Sequence, residues 1–128
     1  MSIAAWIYDA NVVIKNSNLQ DAYSSLKSNY ENGKTSQSIK SATLEKIKSN
    51  VNLVEFLESE FYKVNKLDDS VAIVDGDIDT ITSDLFNIFE AIAPFVEPGS
   101  FLEIRDEEEQ QLSLAFDGKT VNYESDAF

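Results

Sequence analysis

The sequence predicts a single α+β domain over residues 1–128, in which about four helices pack on one face of a mainly antiparallel sheet with a C-terminal β-meander. Length and composition fit one domain, because 128 residues of which 43% are hydrophobic bury enough surface for a single core. In the middle of the chain apolar residues recur every three or four positions, which is typical of amphipathic helices. Near the C-terminus they alternate with polar residues, which is typical of half-buried strands.

The first 50 residues predict a strand region and two helices. Residues 3–14 are rich in Trp, Ile, Tyr and Val, which is typical of one bent strand or a short hairpin. Apolar residues at helical spacing predict a helix over residues 19–30, and Gly33 favours its end there because glycine tolerates positive φ. Residues 34–38 resemble a short linker, and a weaker helix follows that ends near Asn50.

The clearest helix start is at Asn52. Its side chain is a good N-cap, and Glu55 stands three residues on, as in a capping box. Val51 and Phe56 occupy the two positions of a hydrophobic staple. Because the apolar stripe continues to Val64, we expect this helix to extend that far.

A strand and a strongly patterned helix are predicted next. Residues 70–74 form an apolar run that we expect to end at Asp75-Gly76-Asp77. The run 75–77 resembles the start of a calcium loop, but the glycine and the closing Glu that such a loop needs are absent, so a turn is favoured. Apolar residues at helical spacing over residues 81–92 predict the helix, with Pro94 in or just past its last turn.

Three short alternating segments predict the C-terminal meander. They cover residues 101–104, 112–116 and 121–123. The acidic run 106–109 connects the first two segments as a polar turn. Asp117-Gly118 connects the last two and favours a two-residue type I′ hairpin, in which both central residues have positive φ.

Charge is concentrated in the second part of the chain. Residues 1–50 carry six lysines against four carboxylates, a net +2, whereas residues 51–128 carry nineteen carboxylates against four basic residues, a net −15. The whole chain carries −13. A surface with this excess repels nucleic acid and anionic lipid and attracts a basic partner over about a Debye length. We therefore expect a basic protein partner and no binding to nucleic acid or membrane; the oligomeric state is left open.

The composition removes the usual equipment of catalysis. The chain contains no cysteine, so it has no thiol nucleophile. It also contains no histidine, which is the commonest general base. No phosphate-binding loop, nucleophile elbow or metal-ligand spacing is present, and no carboxylate pair stands out. We expect no catalytic residues, no metal, no cofactor and no enzymatic activity.

No apolar run approaches the roughly 20 residues of a membrane span, and a signal peptide is not evident, so a cytoplasmic location is expected.

The candidate partner-binding residues are mostly carboxylates. A run of four at a loop tip is well placed to meet Lys and Arg of a partner, although a solvated turn is the alternative interpretation. A second acidic pair extends the same surface if the fold brings the two together. Trp6 and the tyrosines are residue types favoured as interface anchors, although partly buried core is their more common role. One tyrosine lies off the apolar stripe of its predicted helix and is the candidate anchor among them. The candidates are Asp106, Glu107, Glu108, Glu109, Asp68, Asp69 and Tyr62.

Residues 88–104 and 114–119 resemble a pattern found in small acidic bacterial proteins. In that pattern a helix ends at Ala-Pro-x-Val, Gly-Ser starts a strand that ends in an acidic residue, and a later strand ends in Phe with Gly shortly after it. Proteins of this build resemble the immunity proteins of bacterial toxin systems, including contact-dependent inhibition. The chain departs from the pattern at residues 107–111, where many of the similar proteins carry an acidic-Gly-Trp segment. The resemblance implies a fold and a function class but transfers no site residues.

The leading hypothesis is therefore a non-enzymatic immunity protein that neutralises a cognate basic bacterial toxin, with a nuclease as the first candidate. The alternative is a DNA-mimic inhibitor, of anti-restriction or anti-CRISPR type, that acts on a nucleic-acid-binding protein. Such a mimic needs carboxylates spaced like phosphates along an extended surface. A third interpretation is an acidic accessory domain whose charge mainly keeps it soluble.

Overall fold

The computed structural model describes residues 5–31, 44–60, 62–78 and 83–125. Within these ranges six strands form one antiparallel sheet in the order β2-β3-β1-β4-β5-β6. The strands are β1 (Ala5–Lys15), β2 (Tyr62–Lys66), β3 (Ser70–Ile78), β4 (Phe101–Asp106), β5 (Gln111–Phe116) and β6 (Val121–Ser125). The helices are α1 (Leu19–Glu31), α2 (residues 44–49), α3 (Leu53–Ser59) and α4 (Ser83–Ile92), with short 3-10 helices at Asn16–Asn18 and Ala93–Phe95. The predicted α+β class is confirmed.

The long strand β1 occupies the middle of the sheet. The sequence left open whether this region was a bent strand or a hairpin, and it is one strand with a bulge at Tyr8. Ile7 lies opposite Ile104 and Asp9 lies opposite Glu103, so Tyr8 is the extra residue. The bulge shifts the alternation by one residue, because the inward positions are Ala5 and Ile7 before it and Ala10, Val12 and Ile14 after it.

Buried and exposed side chains alternate along β1 and β4, which gives the sheet two different faces. The buried residues of the strands and those of α1, α3 and α4 belong to one hydrophobic core. We call the opposite side the open face; on β1 and β4 it carries Trp6, Tyr8, Asn11, Phe101, Glu103 and Arg105.

Polar contacts connect the helices above the core. The Ser25 hydroxyl of α1 donates a hydrogen bond to the Ala91 carbonyl of α4 at 2.8 Å. The Tyr23 hydroxyl donates to the carbonyl of Ile47 in α2. Burial, and secondly the Glu55 carboxylate, raise the pKa of Tyr23, so the hydroxyl remains a donor over a wider pH range.

The helix predicted from Asn52 ends earlier than expected. The cap itself is present, because Asn52 Oδ1 accepts a hydrogen bond from Glu55 N at 2.9 Å. The Glu55 carboxylate accepts from Val51 N at 3.2 Å, but Val51 is exposed, so the predicted staple is not formed. The predicted extension to Val64 is wrong because α3 stops at Ser59 and the next described residues form β2.

β3 starts at Ser70 as predicted, but pairing across the sheet extends its C-terminal end beyond Val74. The strand continues through residues 75–77, where we expected a turn, because Lys63 pairs with Asp75 and Tyr62 with Gly76 on β2. A register shift between Lys63 and Val64 marks a bulge that absorbs one residue of β3.

The connection between β5 and β6 is a side-chain-supported turn. Gly118 has φ +95°, but Asp117 does not have positive φ, so the predicted type I′ hairpin is wrong. Instead the Asp117 carboxylate accepts hydrogen bonds from the backbone nitrogens of Lys119 (2.9 Å) and Thr120 (2.7 Å). These bonds lower the pKa of Asp117, with that from Thr120 the largest cause.

Several sequence expectations fall outside the described residues, among them the helix end at Gly33, the linker at 34–38, the first part of the weaker helix and the helical position Ile81. In the described ranges, no helix combines the length and apolar character that crossing a bilayer requires.

Candidate protein-binding surface

The acidic run connects β4 to β5 through a tight turn that Asp106 organises. Asp106 is buried, and its Oδ1 accepts hydrogen bonds from the backbone nitrogens of Glu108 (2.9 Å) and Gln110 (3.0 Å). The Glu109 nitrogen donates to the Asp106 carbonyl at 3.1 Å and closes the turn. Asp106 was predicted as a partner-binding residue, but its carboxylate serves the turn itself.

The next three residues, Glu107–Glu109, are exposed, and we call them the acidic turn. In the part of the chain that the structure describes, no lysine or arginine forms an ion pair with their carboxylates. Glu109 has φ +65°, in the left-handed region that glycine and asparagine favour. Three adjacent negative charges are thus presented to solvent, and none of the described basic residues neutralises them.

The second acidic pair lies at the other end of the sheet. The backbone carbonyl of Asp69 accepts a hydrogen bond from Asn16 N at 2.9 Å, and Asn16 directly follows the last residue of β1. At the first residue of β1, Ala5 lies opposite Asp106. Because β1 has 11 residues and a strand rises about 3.3 Å per residue, the two acidic clusters are about 30 Å apart. Asp68 and Asp69 therefore do not extend the acidic turn.

Tyr62 does not reach the surface. Its side chain is 5% exposed, and its ring meets the ring of Phe89 edge to face, at 5.7 Å between centroids. The expectation of a surface anchor depended on Tyr62 continuing the Asn52 helix. In β2 its side chain points into the core instead. The prediction of Tyr62 as an exposed partner-binding residue is therefore corrected to a core residue.

An exposed aromatic group lies on the open face, at positions for which the sequence favoured partly buried core. Trp6 is 38% exposed, Tyr8 is 56% exposed and Phe101 is 37% exposed. Trp6 lies between the buried residues Ala5 and Ile7, so the alternation of side chains along β1 turns it outward. Trp6, Tyr8 and Phe101 come from the two central strands, β1 and β4.

Arg105 links this aromatic group to a polar network. Its guanidinium carbon lies 3.4 Å from the centroid of the Tyr8 ring, and Trp6 lies opposite Arg105 in the strand register. One guanidinium nitrogen lies 3.5 Å from Glu103 Oε1, which also accepts a hydrogen bond from the Gln111 side chain. The Nε atom of Arg105 is buried without a hydrogen-bond partner. We call Trp6, Tyr8, Phe101 and Arg105 the aromatic patch.

The aromatic patch and the acidic turn adjoin each other. Arg105 is followed by Asp106 at the end of β4, so the turn begins where the patch ends. Asp9 adds a further exposed carboxylate and lies opposite Glu103, a like-charge pair that disfavours the strand pairing. The combined surface has exposed aromatic rings beside the exposed carboxylates of the acidic turn.

A separate groove of about 520 Å³ lies near the Asp69 end of the sheet. Its lining includes the start of α3, Leu19 and the exposed Leu67, with Glu55, Glu58 and Lys66 as charged groups. The described residues contain no group of three carboxylates arranged to hold a metal ion. The groove does not touch the aromatic patch or the acidic turn.

Comparisons with known proteins identify no relative from which a function could be transferred. No family model matches the chain, and no curated protein or solved structure is significantly similar to it.

Proposed function

We propose that this protein is a non-enzymatic inhibitor that binds a basic protein, and specifically an immunity protein that neutralises a cognate bacterial toxin in the cytoplasm, with a nuclease as the first candidate. In the arrangement that we propose, the helices pack on one sheet face and β4–β6 form a C-terminal meander. The observation that carries the proposal is the acidic turn, whose three carboxylates are exposed and unpaired within the described residues.

Electrostatics favours a basic partner for such a surface. The net charge of −15 in residues 51–128 creates a field that raises the encounter rate with a positively charged protein. Nucleases are suitable targets because they bind phosphate with Lys and Arg, and carboxylates compete for the same cations. An inhibitor that works by occupying such a site needs no catalytic residue of its own.

The DNA-mimic alternative has no comparable support. Duplex DNA presents a charge about every 1.7 Å along its axis, so a mimic needs carboxylates in continuous rows. The acidic turn and the pair Asp68 and Asp69 lie at opposite ends of β1. Between them the open face carries Trp6 and Tyr8, which interrupt any row of charge.

Affinity capture from the native host tests the proposal. The protein is used as bait at low salt and again at about 0.5 M salt, which screens exposed charges beyond a few ångströms. We expect one basic protein to be retained at high salt, and its purified activity to be abolished by one equivalent of bait. Release of many nucleic-acid-binding proteins together at high salt would contradict the proposal, because it indicates a generic polyanion.

A pair of charge variants locates the contact on that partner. Glu107→Gln with Glu108→Gln removes two charges from the acidic turn, and Asp68→Asn with Asp69→Asn removes two from the opposite end. We expect the first pair to slow association by about tenfold at low salt and the second to leave it nearly unchanged. Equal effects of the two pairs would mean that only net charge matters.

A further inference from the structure

The open face of the sheet has the composition of an interface centre. Trp, Tyr and Arg are the residue types that most often dominate binding energy, and here they are adjacent. Trp6, Tyr8 and Phe101 are each more than one-third exposed, on neighbouring central strands. Aromatic side chains of this size otherwise bury their surface in the core, as Phe89 and Phe116 do here.

The patch is also ordered before any partner arrives. The Tyr8 ring packs on Arg105, Arg105 lies beside Glu103, and Glu103 accepts a hydrogen bond from Gln111. Side chains that are already held in place lose less conformational entropy on binding. The buried Nε of Arg105 lacks a hydrogen-bond partner, which fits a guanidinium that is held mainly by ring stacking.

The charges around the patch decide which occupant fits. Arg105 is the one cation of the patch. Glu103 lies beside its guanidinium, Asp9 lies opposite Glu103, and the exposed residues Glu107–Glu109 follow at the end of β4. A second copy of this chain would bring the same carboxylates against themselves, in a protein of net charge −13. A partner with apolar side chains inside a basic rim is complementary to the patch.

We infer that the basic partner lies across the open face, with Trp6 and Tyr8 as the contacts that determine how long it stays bound. The acidic turn then forms the rim, where charges mainly set the association rate. This inference rests on the proposed function, because it names the surface and the partner chemistry through which the inhibitor acts.

A displayed peptide library tests the inference even while the partner itself is unidentified. Random peptides of about twelve residues are selected on the wild-type protein at about 0.15 M salt, and enriched peptides are synthesised for affinity measurement. We expect enriched sequences to combine Lys or Arg with apolar residues. Their affinity should fall by about tenfold or more for Trp6→Ala and for Tyr8→Ala.

Matched variants separate surface loss from unfolding. Tyr123→Ala removes another exposed aromatic residue, but one whose ring packs on Phe86 on the other side of the sheet, and we expect little change in affinity. Phe101→Ser provides a second reduction of the patch from β4, should Trp6→Ala fail to fold as judged by circular dichroism.

Each outcome of the selection has a distinct meaning. Basic peptides that bind Trp6→Ala, Tyr8→Ala and Phe101→Ser as tightly as wild type overturn the inference and leave the proposed function standing. Enrichment of neutral or acidic peptides, or of none, overturns both. A concentration-dependent dimer that Trp6→Ala abolishes in analytical ultracentrifugation also overturns the inference, because the open face would then bind a second copy.

Discussion

The ring of Tyr8 covers the guanidinium of Arg105, with 3.4 Å between the ring centroid and Cζ. The two residues are far apart in the sequence and meet because β1 pairs with β4. Arg105 directly precedes the turn of residues 106–109 in the chain. The contact therefore places the Tyr8 ring beside the end of β4, from which the acidic turn continues. A surface with aromatic and acidic parts thus follows from one strand register.

The Tyr8–Arg105 contact should contribute measurably to stability. Exposed cation–π pairs contribute about 0.5–1 kcal/mol. We expect a double-mutant cycle of Tyr8→Leu and Arg105→Met, followed by urea unfolding, to give a coupling free energy in that range. Tyr123→Leu in place of Tyr8→Leu serves as the control, and coupling of the same size there would mean that no specific contact is measured.

Replacing Glu109 by glycine should stabilise the fold. The φ of +65° at Glu109 is unfavourable for a side chain with a Cβ, by roughly 1 kcal/mol, and glycine removes that cost. We expect the urea midpoint of Glu109→Gly to rise accordingly. Glu108→Gly removes the same charge at a position without positive φ and should be neutral or destabilising. A rise in both variants would show that charge repulsion, not backbone strain, is relieved.

The secondary structure that depends on local patterns was predictable, and the parts set by long-range pairing were not. The Asn52 cap involves residues three apart and was found from sequence. The end of α3 was placed too late because Val64 fits the helical spacing, yet it also alternates with Lys63 as β2 requires. Pairing with β3 decides between the helical period and the two-residue period of a strand. Since β3 lies further along the chain, the residues around Val64 do not by themselves contain this information.

The candidate surface shows the same division. Residues 107–109 were identified because a run of charge is visible in the sequence, and they are exposed. Tyr62 was misplaced because its predicted helix was misplaced. For Trp6 and Tyr8 partly buried core was favoured over an interface role. The bulge at Tyr8 and the pairing of Trp6 with Arg105 both depend on β4, which lies far along the chain, so no local pattern contains them.

Truncation of Tyr62 should test its place in the core. A buried aromatic side chain replaced by alanine typically costs about 3–5 kcal/mol, since packing is lost and a cavity remains. Tyr62→Ala should therefore lower the free energy of unfolding by about that amount in chemical denaturation. Trp6→Ala, at an exposed position, should cost much less. Similar losses for the two variants would contradict the assignment of Tyr62 to the core and Trp6 to the surface.

Acid should weaken the β5–β6 turn through Asp117. Hydrogen bonds from Thr120 and Lys119 hold the pKa of this carboxyl below its ordinary value of 3.8. A lowered folded-state pKa adds stability that is present above the unfolded pKa and is lost as pH falls through the folded value. We expect the stability difference between wild type and Asp117→Ala to shrink as pH is lowered from 3.8. A carboxyl carbon titration by NMR that gives a pKa above 3.8 would contradict this assignment.

Asp106 should be needed for the shape of the acidic turn and not for its charge. Its Oδ1 accepts hydrogen bonds from the Glu108 and Gln110 nitrogens, and an asparagine side chain also offers an acceptor oxygen there. Asp106→Asn should therefore keep the slow amide exchange of residues 108 and 110, whereas Asp106→Ala should accelerate it and lower stability by about 1–2 kcal/mol. If the asparagine variant exchanges as fast as the alanine variant, the negative charge is required. If neither variant changes exchange, Asp106 does not organise the turn, and Glu107–Glu109 are positioned by the β4–β5 pairing alone.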